Sequence, residues 1–62
     1  MKITWTPKYG EHAGVEFVGH VDASGYVHWD DARMDTGDLV SIDWLRKVAA
    51  RGEGTLVEEE PH

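Results

Sequence analysis

The sequence predicts an α+β fold: a three-stranded antiparallel sheet packed on one face by one C-terminal helix. Three observations predict it. Between residues 15 and 31, apolar and polar side chains alternate on both sides of a turn, the pattern of a hairpin with one buried face. Between residues 41 and 52 the period becomes helical, with a capping residue at each end. The third is size. The chain has 62 residues, no cysteine, and three Trp, two Tyr and one Phe among its 40% hydrophobic residues. So short a chain buries only about 60% of the surface its unfolded form exposes. Without cysteine, no disulfide, Cys-based metal site or thiol nucleophile is open to it. Large aromatics are how such a small core gathers apolar area.

The elements follow in order. Residues 2–6 alternate, with Ile3 and Trp5 on one face, and Pro7 ends that strand. Residues 8–14 carry glycines at positions 10 and 14 and read as a loop. The second and third strands, 15–21 and 26–31, flank Asp22, Ala23, Ser24 and Gly25. Asp in first place and Gly in fourth fit a type I turn closed by a left-handed glycine. Such a turn leads into a bulged hairpin and sets its register. Asp22 should face Tyr26, Val21 face Val27, His20 face His28, and Gly19 face Trp29. Phe17, Val21, Val27 and Trp29 then share the core face, with Trp29 covering the bare backbone of Gly19. Glu16, Val18, His20, Asp22, Tyr26, His28 and Asp30 share the wet face.

Residues 32–40 read as an acidic connection. The helix is expected over 42–51, with Ser41 as N-cap and Gly52 in the left-handed position past its end. Asp43 in the first turn and Arg51 in the last suit the helix dipole. Ile42, Trp44, Leu45, Val48 and Ala49 make one apolar arc of about 160°. A helix this short does not persist alone, so the arc must pack on the sheet. The expected core is Trp5, Phe17, Trp29, Trp44 and Leu45. Residues 1–52 form the single domain, and 53–62 read as an acidic, partly disordered tail in which 55–57 add at most a short edge strand. A competing parse takes Gly37 to Leu45 as the end of a small SH3-like β-barrel, with a last strand at 46–50. Ala49 and Ala50 favour helix there.

Net charge is −6, and it is uneven. Residues 22–43 hold six Asp and one Arg, residues 44–52 hold Arg46, Lys47 and Arg51, and residues 53–62 hold four Glu. An acidic chain repels phosphate, which makes nucleic acid and anionic membranes poor partners. No apolar run reaches the roughly 18 residues of a membrane span. The first residues lack the apolar stretch of a signal peptide. With no cysteine, the expected location is the cytoplasm.

No glycine-rich phosphate loop or nucleophile elbow is present, and Ser24 and Ser41 have turn and cap roles. The chain therefore reads as a non-enzymatic protein with no cofactor. Its expected role is a small interaction module, binding a protein with a basic surface or a second copy of itself. The wet hairpin face offers Tyr26, His28 and Asp30, with Asp35 and Asp38 at the rim. Tyr combines contact area, a polar tip and few rotors, which suits a binding hot spot. Acids beside it would steer a basic partner. The alternative is a metal site built on His20 and His28, whose imidazoles suit zinc or copper. A third reading is an acidic DNA mimic. Asp30, Asp31, Asp35 and Asp38 do not form a calcium loop, because the twelfth position counted from Asp30 or Asp31 is Ser41 or Ile42 rather than Glu.

Short, cysteine-free and rich in Trp, Gly, Asp and Arg, the whole chain resembles small accessory proteins encoded by bacteriophages of high-GC hosts. That resemblance implies a protein that binds a host or virion protein. It assigns no site residue.

Overall fold

A computed structural model describes residues 1–34 and 37–59. The elements are β1 (Lys2–Pro7), β2 (Phe17–Val21), β3 (Tyr26–Trp29), a 3₁₀ turn (Ala32–Met34), β4 (Val40–Ser41), α1 (Ile42–Ala50) and β5 (Gly54–Glu59). The strands form one curled antiparallel sheet in the order β4-β3-β2-β1-β5. The α+β class holds, but the sheet has five strands where three were expected.

The hairpin keeps its expected register: Gly19 faces Trp29, His20 faces His28, and Val21 faces Val27. The turn sets it. Gly25 donates from its N–H to the Asp22 carbonyl at 3.0 Å and sits at φ 87°, a left-handed conformation that costs glycine little. Asp22 N–H then donates to the Tyr26 carbonyl at 2.9 Å and starts the ladder.

The helix is also punctuated as expected. Ser41 Oγ accepts from the Trp44 N–H at 3.1 Å. At the other end Gly52 N–H donates to Ala49 and Glu53 N–H to Val48, the paired bonds of a Schellman ending. The helix occupies residues 46–50, so the last strand of the SH3-like parse is absent there. What that parse shares with the molecule is the curl of a half-barrel.

Two strands correct the expected sheet. Gly54–Glu59, read mainly as tail, pairs along all of β1, from Lys2 opposite Glu59 to Pro7 opposite Gly54. Val40 and Ser41 add a two-residue edge strand opposite Val27 and Tyr26.

The core joins Ile3, Trp5, Val27, Ile42, Leu45 and Val48, all buried, with Val21, Trp29, Met34, Ala49 and Leu56 packed against them. Phe17 is fully buried beside the His12 ring edge at 5.6 Å and under the Arg33 guanidinium at 5.0 Å. Two glycines admit the tryptophans. A Cβ on Gly19 would lie 3.0 Å from the Trp29 ring, and one on Gly54 would lie 2.6 Å from Trp5 Cζ2 and 2.8 Å from the Thr6 carbonyl. Trp44 departs from the expected core and is 52% exposed. The buried helix residues are Ile42, Leu45 and Val48, centred on Leu45. Trp44 is one residue away, about 100° around the helix, at the margin of the packed arc.

Candidate functional site

Strand alternation places Lys2, Thr4, Val18, His20, Tyr26, His28, Val57 and Glu59 on the sheet face turned away from the helix. Its centre is the His20–His28 pair. Each ring is engaged diagonally by a carboxylate. His28 donates from Nε2 to Asp22 Oδ2 at 2.7 Å, and His20 Nδ1 lies 3.0 Å from Asp30 Oδ2. An ionised carboxylate only accepts, so the ring nitrogens carry the hydrogens in these bonds. Asp22 is the more heavily used acid. Its Oδ1 also accepts from the N–H groups of Ser24 at 2.8 Å and Tyr26 at 3.0 Å. The His28 bond first, with the Tyr26 and Ser24 bonds, holds its carboxyl below the usual range.

This geometry bears on the metal alternative. The two rings are opposite each other, but their bonded nitrogens go to different acids at 2.7 and 3.0 Å. Among the described residues no three His, Asp or Glu side chains converge as metal ligands would.

The acidic loop is similarly engaged. Asp31 accepts from Arg33 Nε at 3.0 Å, Nη2 at 2.7 Å and the Arg33 N–H at 2.9 Å. That fork brings the Asp31 carboxyl down to about 2. Asp43, Glu53, Glu58 and Glu59 each lie within ion-pair distance of a Lys or Arg. Among the described residues most acids are thus locally paired.

The exposed apolar surface gathers at another place. Tyr26, Asp38, Leu39, Val40, Ser41 and Trp44 line one open hollow where β3, β4 and the first turn of α1 meet. Tyr26 is 39% exposed, Leu39 63% and Trp44 52%. Local structure explains the grouping. Tyr26 faces Ser41 across the β3–β4 pair, and Ser41 caps the helix through the Trp44 N–H. Leu39 enters the two-residue strand. A second depression shares Asp38 and Leu39 and runs past His28, Trp29 and Met34.

Of the residues expected to carry the site, Tyr26, His28 and Asp30 lie on the outer face, and Asp38 joins Tyr26 in the hollow. Asp30 is bonded to His20. Asp35 lies outside the described residues. Leu39 and Trp44 went unforeseen. The signal for Leu39 was an isolated large apolar residue in an acidic connection. For Trp44 it was a position at the edge of the helical arc.

No family model, curated protein or solved structure matches this chain. None of the described helices is long and apolar enough to cross a membrane.

Proposed function

We propose that the chain is a small, non-enzymatic protein-binding module, and that it engages a basic, partly apolar partner segment at the corner formed by Tyr26, Leu39 and Trp44. The observation that carries this reading is the hollow itself. A chain of 62 residues, with little apolar surface to spare, leaves three large apolar side chains at least 39% exposed in one place. Clustered exposed apolar surface with a polar rim is the usual mark of an interaction site. Trp and Tyr are the residues most often found at its energetic centre.

The rim supports the basic character of the partner. Asp38 lines the hollow. Asp22 lies beside Tyr26 and accepts its N–H. Acids around an apolar centre speed encounter with a basic segment and contribute less to its final affinity.

A displayed peptide library selected against the protein tests this reading. Enriched peptides should carry Lys or Arg beside an apolar residue. Trp44→Ser should weaken each of them by more than about 2 kcal/mol, whereas Thr4→Ser, at the centre of the opposite half of the outer face, should leave them unchanged. Enriched peptides that bind wild type and Trp44→Ser equally would place the surface elsewhere.

A further inference from the structure

We propose that a second copy of this chain pairs antiparallel along the outer edge of β5, joining two five-stranded sheets across a twofold axis at Leu56. The proposal is independent of the corner at Trp44, which lies at the other edge of the sheet.

The register of β1 and β5 decides which backbone groups are free. Lys8 N–H donates to the Glu53 carbonyl at 3.0 Å, so Lys8 and Glu53 are a hydrogen-bonded pair. Antiparallel ladders alternate. Thr55, Val57 and Glu59 therefore turn their N–H and C=O groups toward β1, and Gly54, Leu56 and Glu58 turn theirs outward. Among the described residues, no backbone hydrogen bond from outside the sheet reaches these three. They form an unpaired edge the full length of the strand, the template for adding another.

One antiparallel register between two copies satisfies every outward group: Leu56 opposite Leu56, and Gly54 opposite Glu58 in both directions. Roughly six backbone hydrogen bonds result. On the outer face the same register sets Val57, 47% exposed, opposite Thr55 of the other copy, a β-branched pair of the kind that stabilises sheets.

Charge permits this pairing here and not at the other edge. Four of the six cations, Lys2, Lys8, Arg46 and Arg51, lie along β5 and its flanks. Arg46 Nη2 is 2.6 Å from Glu58, Arg51 Nε is 3.0 Å from Glu53, and Lys2 is 3.9 Å from Glu59. Acids on an edge strand ordinarily ward off a second chain. Here they are held by cations of their own molecule. The same register sets Glu59 of one copy opposite Glu53 of the other, and each of these acids is already held by a cation of its own molecule, Lys2 and Arg51. The excess negative charge of the chain sits instead around β3, β4 and their loops.

The contact is a single strand pair, small enough to dissociate readily. Sedimentation equilibrium of the full chain from micromolar to millimolar concentration should show the mass rising from one chain toward two. Over the same range the amides of Leu56 and Glu58 should gain protection from hydrogen exchange, while those of Thr55 and Val57 are protected throughout. Leu56→Pro removes an outward N–H from each copy and no bond to β1, and should weaken the dimer about tenfold or more. Should that variant fail to fold, exchange in the unmodified chain decides. A single-chain mass at every concentration, with Leu56 and Glu58 exchanging freely, would overturn the proposal. So would a dimer in which those two amides stay unprotected.

Discussion

The sheet ends on one side at β4, two residues long, and on the other at β5, with six. The long edge is the better anchored. It is paired to β1 at every residue, tied to α1 through Arg46 and Glu58, and locked by the Trp5 ring over Gly54. The short edge is capped and decorated. Its serine holds the helix N-terminus, and Leu39 and Trp44 beside it face solvent. The difference teaches how a very small domain divides its apolar residues. The part under β1, β2 and β5 is buried in the core, and the part around β4 stays exposed.

Leu45→Ala should erase the contrast altogether. Leu45 is 2% exposed at the centre of the buried helix face, and the helix packs against both edge strands. Truncation there costs about 2–5 kcal/mol, a large part of the stability of so short a chain. Thermal melting should show the variant largely unfolded near room temperature. Unchanged melting would mean that the helix is not what joins the two edges.

Gly54→Ala acts on the long edge alone. The added methyl meets the Trp5 ring and the Thr6 carbonyl inside normal contact, and overpacking of this kind costs about 1–3 kcal/mol. Circular dichroism should report a lower melting temperature, and amide exchange should speed up in β5 before β3. Full stability in this variant would show that the ring over Gly54 has room to move.

The short edge should respond in the opposite way. Trp44→Ser should change stability by about 1 kcal/mol or less, yet abolish the peptide binding that the corner supports. A large drop in melting temperature would return Trp44 to the core.

The smallest effect is electrostatic and concerns the segment that follows β3. Asp31 is held at about 2 against an ordinary 3.8, through Arg33. A depressed carboxyl adds stability above its unfolded pKa and loses it as pH falls through the folded one. Asp31→Asn should therefore flatten part of the loss of melting temperature as pH falls from about 4 to 2, and do little at neutral pH beyond removing an exposed ion pair. Identical acid profiles would show that the fork with Arg33 is too solvated to matter.

Local chemistry made half of this molecule legible in the sequence. Asp22 and Gly25 specify the turn, and the turn specifies the register down to His20 opposite His28. Ser41 and Gly52 bound the helix. What was not legible depends on partners distant in the chain. Thr55, Leu56 and Val57 carry strand propensity, but Glu58 and Glu59 behind them read as a solvated tail until Arg46 and Lys2 are known to lie beside them. Trp44 went to the core because a hydrophobic arc does not say where the sheet beneath it stops. The candidate site was legible in Tyr26 and Asp38 and illegible in Leu39, which comes beside Tyr26 and Trp44 only in the fold.

The pairing of β1 on both sides also has a kinetic consequence. Its bonds to β2 close a short stretch of chain, whereas those to β5 join residues from nearly opposite ends of the sequence. Closing the longer loop costs more chain entropy before any contact rewards it. The hairpin, β1 and the helix can assemble first, with β5 zipping on last over the Trp5 ring. On that order Gly54→Ala speeds unfolding and leaves the folding rate nearly unaltered, because the edge the chain acquires last is the first one it releases.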